Sequence, residues 1–214
     1  MSTGLSEFDY LATRAGANGP HAIPNEPLGW TLNQRSDEVG PLEIWTIGHS
    51  TRSMEDFLAF LEENGIEAVA DVRRFPGSRA YPHFNAEPLA QSLAARGIEY
   101  LPFGDLGGRR RPDPGSTNTV WRHPAFRAYA DFMETPEFRA GLTRLLAAAR
   151  TRRTAIMCSE AVWWRCHRAL IADALKAGGA RVLHIMDVGK VVEHPYTAAA
   201  TVVDGKLRYG AAPA

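Results

Sequence analysis

The chain has 214 residues, 45% hydrophobic and 22% charged, enough for one self-supporting core and cramped for two. No apolar run approaches the ~20 residues needed to span a bilayer, and the start lacks a basic stretch followed by an apolar one. A membrane protein and a secreted one are therefore not expected, and the expected address is the cytoplasm. The formal net charge is zero, yet residues 1–67 carry three arginines against eleven acids, so the remainder is as basic as this part is acidic.

Residues 1–41 have no sustained periodicity and are broken by Gly16, Gly19, Pro20, Pro24, Pro27, Gly29, Gly40 and Pro41, which reads as an extended arm before a single domain over 42–214. Regular patterning begins with EIWTIG (43–48), a strand. Ser53 then opens Ser-Met-Glu-Asp, a helix start whose hydroxyl can satisfy a free amide, and Asn64-Gly65 closes that helix. EAVADV (67–72) is a second strand, 86–97 a second helix, and IEYLPF (98–103) a third strand. Helical patterns at 124–134 and 136–150 lead to TAIMCS (154–159), and a helix over about 164–177 leads to RVLHIM (181–186). The tail TVVDGKLRYG holds an Asp-Gly hairpin signal.

Short apolar strands alternating with helices predict an α/β fold, an open, mainly parallel, Rossmann-like sheet with helices on both faces. In such sheets ligands sit beyond the carboxyl ends of the strands. The residues placed there are His49-Ser50, Asp71 with Arg73-Arg74, the segment from Gly104 to Arg109, Ser159-Glu160, and Asp187. Distant segments thus converge on one edge with polar, charged or glycine residues, the expected functional site.

These blocks also carry a resemblance. Thr46-Ile47-Gly48-His49-Ser50, Asp71-Val72-Arg73, Pro76, Ser78 with Phe84, Leu106-Gly107-Gly108-Arg109 and Met157-Cys158-Ser159-Glu160 leading to Cys166-His167-Arg168 resemble, over about residues 44–194, the family catalogued as domain of unknown function 488. Trp163-Trp164 and the triplet Arg109-Arg110-Arg111 depart from that pattern, being more aromatic and more basic. Some members of the family look connected with repair of alkylated DNA, and the resemblance permits that role here.

Asp71 and Glu160, at two strand ends, are the candidate catalytic carboxylates, able to orient a water or stabilise a developing cation. Trp163, Trp164, Tyr81, Phe84 and His49 are candidate base-binding residues, with Phe75 and Trp121 nearby. Indole faces beside a carboxylate suit a flat, positively charged base such as an N-alkylated purine. Arg73, Arg74, Arg79, Arg109, Arg110, Arg111, Arg165 and Arg168 are candidate phosphate grips, whereas Arg152-Arg153 falls at the opposite edge. Together they suggest a DNA N-glycosylase that flips an alkylated purine such as 3-methyladenine out of damaged duplex DNA and hydrolyses its glycosidic bond.

Two readings compete. Cys158 at a strand end before a helix start, with His167 and Arg165 near, resembles the layout of a phosphatase or sulfurtransferase thiol, although six residues separate Cys158 from Arg165 and no glycine lines the loop. A non-catalytic nucleic-acid binding module would use the same arginines and aromatics. No cofactor and no metal are expected: Cys158, Cys166, His167 and His49 are suitable ligand types, but their spacing matches no paired Cys-x-x-Cys pattern, and Cys166 reads as a small buried group on a helix.

Overall fold

The computed structural model describes residues 40–210, so the arm expected over 1–41 lies outside the described residues except for its last two positions. The elements are β1 (Glu43–Gly48), α1 (Met54–Glu63), β2 (Ala68–Asp71), α2 (Ala86–Ala94), β3 (Glu99–Pro102), α3 (Pro124–Met133), α4 (Pro136–Ala149), β4 (Thr154–Cys158), α5 (Arg168–Ala177), β5 (Arg181–Asp187), β6 (Lys190–Glu193), β7 (Thr201–Val203) and β8 (Lys206–Arg208). Six strands form one sheet in the order β3-β2-β4-β1-β5-β6, and β7 and β8 form a separate hairpin. Strands β1 to β5 pair in parallel and only β6 runs antiparallel, so the fold is the open, mainly parallel α/β sheet.

Strand alternation explains why helices cover both faces. Ile44, Ala70, Ile156 and Val182 point to the face packed by α3, α4 and α5 through Tyr129, Leu142 and Leu170. Their neighbours Trp45, Val69, Ala155 and Leu183 point to the other, where α1 and α2 pack through Phe57, Leu61, Leu89 and Leu93. Two apolar layers share one sheet, which is why the central strands read as continuous hydrophobic runs.

Local signals act as their chemistry requires. The Ser53 hydroxyl accepts the Asp56 amide at 3.0 Å and donates to the Asp56 carboxylate at 2.7 Å, and Gly65, at φ 61°, follows the end of α1 in the left-handed region. In the tail, Asp204 and Gly205 take φ 50° and 71°, the pair of positive angles a two-residue hairpin loop needs. That hairpin leans on the body: Leu207 and Tyr209 are buried, and the Tyr209 hydroxyl donates to Asp173 of α5 at 2.9 Å.

Two expectations change. The last major helix begins at Arg168, not at about 164; Trp163–Arg165 form a single 3-10 turn and Cys166 is extended at φ −128°, ψ 149°. The apolar spacing of 164–177 therefore overran the helix start, and Cys166 sits just before α5 rather than on it. Strand β6 was not anticipated, because Lys190–Glu193 is exposed throughout and takes its shape from pairing with β5 across the bend at Val188-Gly189.

Candidate active site

The chain leaves β1 for α1 on one face of the sheet and leaves the adjacent β4 for α5 on the other, so a crevice opens where the two connections part. The His49 amide donates to the Cys158 carbonyl at 3.0 Å and the Ser50 amide to the Ser159 carbonyl at 2.9 Å, carrying the pairing past the strand ends. Above this point lies a cleft of about 900 Å³, large enough for a nucleotide. Residues from five separate segments line it, among them His49 and Ser50, Arg74 and Tyr81, Gly108 and Arg109, His123 and Phe126, and Cys158, Glu160 and Trp164.

Glu160 lines the cleft and is exposed, and among the described residues its carboxylate accepts no hydrogen bond and makes no ion pair. Gly48 places it. A Cβ at Gly48 would lie 1.8 Å from the Glu160 carbonyl oxygen, so the 159–161 segment lies across the end of β1 only because position 48 has no side chain.

Asp71 is otherwise occupied. Its carboxylate, 1% exposed, accepts Arg73 Nε at 2.8 Å, Arg73 Nη2 at 2.6 Å, the Arg73 amide at 3.1 Å and the Tyr100 hydroxyl at 2.8 Å. Four donors leave it no oxygen to orient a water, and it is absent from the cleft lining, so its expected catalytic role is replaced by arginine pairing. Asp71 keeps the buried Arg73 guanidinium charged despite its burial, and burial together with the Asp71 charge pushes the Tyr100 phenol up. Arg73 is likewise spent on structure rather than on phosphate: its Nη1 donates to His49 Nε2 at 3.3 Å, while His49 Nδ1 donates to the Ser50 carbonyl at 3.0 Å. Burial and the Arg73 charge lower the His49 pKa to about 4, keeping the imidazole neutral at the cleft wall.

The aromatics divide. Trp164 is 52% exposed and lines the cleft with Tyr81 and Phe75. Trp163 instead lies flat on His184, ring centroids 4.6 Å apart and planes 6° from parallel, outside the cleft lining. Phe84 is fully buried beneath His49, stacked at 4.3 Å, so it supports a wall rather than touching a ligand. Trp121 stacks on Phe126 and only the latter reaches the cleft.

The arginines divide more sharply. Arg74, Arg109 and Arg165 are exposed on the rim, with Arg74 Nη1 donating to the Arg109 carbonyl at 3.1 Å. Arg79 and Arg111 are exposed but outside the lining. Arg110 packs over the Phe132 ring at 3.4 Å and donates to the Gly107 and Asp105 carbonyls, outside the cleft lining. Arg168, 1% exposed, donates to the carbonyls of Glu160 and Ala161 and to Thr46 Oγ1, and its Nε has no partner among the described residues. It cannot reach phosphate. It clasps the 160–161 segment from below.

Behind that clasp runs a buried polar chain. One direction satisfies each hydrogen-bonded member: Arg168 donates to Thr46, Thr46 to His184 Nδ1 at 2.7 Å, His184 Nε2 to His194 Nδ1 at 2.9 Å, and His194 Nε2 to Asp173 at 3.0 Å. Burial and the neighbouring His194 and Arg168 lower the His184 pKa to about 2. The chain ties β1, β5, α5 and the tail together under Trp163.

At the cleft floor three ligand-type side chains come together that spacing along the chain does not announce. Cys158, Cys166 and His167 offer ligand-type atoms within 4.8 Å of one another. His167 Nε2 donates to the Val72 carbonyl at 3.1 Å, which turns the Nδ1 lone pair toward Cys166 Sγ at 3.5 Å and Cys158 Sγ at 3.9 Å. The Arg168 amide, in the first turn of α5, donates to Cys166 Sγ at 3.5 Å. Burial works against the Cys166 thiolate, but the neighbouring Cys158 thiol and the Arg168 charge and amide outweigh it and bring the pKa below the ordinary thiol value. The Cys158 thiol is pushed up by Cys166 beside it and by burial.

Among the described residues three non-glycine positions have positive φ. Asp204 belongs to the hairpin loop, while Ser50 at 48° and Arg109 at 57° both line the cleft, where local strain costs about 1 kcal/mol each and marks positions fixed by their surroundings. Sequence reasoning had passed over Cys166, His167, His123, Phe126 and Tyr129 as site residues. Only the Cys-His dipeptide carried a signal, and it was discounted on spacing. No helix among the described residues is long and apolar enough to cross a membrane.

A family model described as Domain of unknown function DUF488 matches residues 53–175. No curated protein and no solved structure matches the chain.

Proposed function

Since the chain belongs to the family described as Domain of unknown function DUF488, whose description assigns no chemistry, the site has to carry the functional reading; we propose that it is a DNA N-glycosylase that excises cationic alkylated purines. The observation that carries this reading is Glu160, an accessible carboxylate without an ionic partner among the described residues, in one cleft with the exposed face of Trp164. An alkylated purine already bears positive charge and leaves without prior protonation, so the enzyme must hold a flat cation and stabilise an oxocarbenium-like sugar. Trp164, Tyr81 and Phe75 supply ring faces for the base. Glu160 orients the attacking water and balances the sugar's developing charge.

Arg74, Arg109 and Arg165 at the rim grip the phosphates on either side of the flipped nucleotide. Asp71, Arg73 and His49 act indirectly, as a braced wall. The competing thiol enzyme built on Cys158 has less support, because that thiol is 5% exposed at the cleft floor, and unchanged activity in Cys158→Ser would remove it.

The test is release of free 3-methyladenine from methylated duplex DNA by the purified chain. The expected result is release that falls by roughly 10²-fold or more in Glu160→Gln with DNA binding retained. Release no faster than in protein-free buffer, while a known glycosylase works in the same assay, refutes the reading. Binding without turnover would instead assign a nucleic-acid binding module.

A further inference from the structure

We propose that Cys158, Cys166 and His167 form a binding site for one zinc-type divalent ion at the floor of the cleft, with its fourth coordination position open to the substrate space. The geometry argues this independently of the glycosylase reading. A tetrahedral ion held at about 2.3 Å from sulfur and about 2.05 Å from nitrogen requires sulfur–nitrogen edges of about 3.6 Å. The two such edges here are 3.5 Å and 3.9 Å, and all three donor atoms fit within 4.8 Å. The third edge, between the two sulfurs, is within 4.8 Å here against about 3.8 Å around a bound ion, so closing the site needs a few tenths of an ångström at the imidazole and up to about 1 Å between the sulfurs, within the reach of side-chain rotation.

The surroundings are those of a ligand set rather than of a chance cluster. A metal-bound imidazole usually donates its other nitrogen to a carbonyl or carboxylate, which fixes the tautomer and aims the lone pair. His167 does this through the Val72 carbonyl. Cys166 Sγ accepts an amide from the first turn of α5, and the fully buried Arg168 guanidinium lies behind it with no carboxylate within ion-pair distance among the described residues. A buried positive charge without a carboxylate calls for negative charge close by, and deprotonated sulfurs supply it. Gly108 keeps the imidazole clear: a Cβ there would lie 3.1 Å from His167 Nδ1.

Two thiolates and one imidazole are soft and borderline donors, which favours zinc over magnesium or calcium. Three protein ligands with an open position is the arrangement of catalytic rather than structural zinc sites, and Cys158, Cys166 and His167 all border the cleft beside Glu160. A water held at that position would be activated within the same space that the substrate enters.

The test uses the full chain, reduced, stripped with chelator and reloaded. One zinc per chain is expected, and cobalt in its place should give a thiolate-to-cobalt charge-transfer band together with tetrahedral d–d bands. Cys166→Ser and His167→Asn should each lower zinc retained after gel filtration at least tenfold, while His123→Asn, on the cleft wall, retains it. Circular dichroism identifies any variant that fails to fold, and the cobalt spectrum of the unmodified chain decides the matter without variants. Failure to retain stoichiometric zinc or cobalt with both thiols reduced overturns the proposal, as does a cobalt spectrum without the sulfur band. Formation of a Cys158–Cys166 disulfide at the same rate with and without zinc also overturns it. Absence of base release would leave a positive metal result standing, so the two proposals fail separately.

Discussion

Replacing Asp71 by asparagine separates a catalytic carboxylate from a structural one. Asp71 and Arg73 have side-chain exposures of 1% and 7%, and the pair is bidentate, with Tyr100 and the Arg73 amide completing the carboxylate's shell. Removing one partner of such a pair leaves a buried charge uncompensated, a loss of about 3–5 kcal/mol. Asparagine keeps one acceptor oxygen, so the lower end is expected. At about 2–4 °C per kcal/mol for a protein of this size, the unfolding midpoint should fall by at least roughly 6 °C. Urea and thermal unfolding followed by circular dichroism measure both. The double variant Asp71→Asn, Arg73→Met should recover part of the loss, because it removes the stranded guanidinium. A single variant within about 1 kcal/mol of the unmodified chain, or a double variant whose losses simply add, would refute the structural assignment and return Asp71 to the list of catalytic candidates.

Other outcomes follow from the same geometry. His184 stays neutral when folded, with its pKa lowered to about 2, but titrates near 6.5 when unfolded. Its contribution is therefore complete above pH ~6.5 and is lost as pH falls, by up to about 1.4 kcal/mol per unit between pH 6 and 5, a slope that His184→Gln should flatten in urea titrations. Gly48→Ala would drive a methyl group into the Glu160 carbonyl, so unfolding should show a loss of roughly 1–3 kcal/mol, and any activity should drop further than that loss explains. If Arg74, Arg109 and Arg165 each neutralise a phosphate, each alanine variant should reduce the slope of log affinity against log salt by about 0.9, whereas Arg79→Ala leaves it unchanged. Trp164→Ala should weaken binding of a single-stranded oligonucleotide by about 1–3 kcal/mol in a fluorescence titration, and an unchanged affinity would remove the stacking role.

Much of the architecture is legible in the amino-acid sequence. The boundaries of β1, the helix start at Ser53 and the tail hairpin depend on local chemistry: an apolar run, a hydroxyl three residues before a free amide, and an Asp-Gly pair that tolerates positive φ. The convergence of strand ends on one edge follows from parallel pairing alone, and His49, Arg74, Glu160 and Trp164 do meet in the cleft. What local chemistry cannot report is where each side chain spends its hydrogen bonds. Asp71 and Glu160 look alike as acids after strands, yet one meets four donors and the other none among the described residues, because Arg73 and Tyr100 reach Asp71 from the adjoining loop and strand. Trp163 and Trp164 are consecutive, yet a single 3-10 turn sends one onto His184 and the other into the cleft. The cysteine pair makes the same point most clearly. Eight positions separate Cys158 from Cys166, a spacing that announces no ligand set, and only the late start of α5 folds the intervening loop back so that both sulfurs face one imidazole. Periodicity and capping are properties of neighbouring residues and survive in the sequence, whereas pairing across loops depends on distances that exist only once the chain has folded.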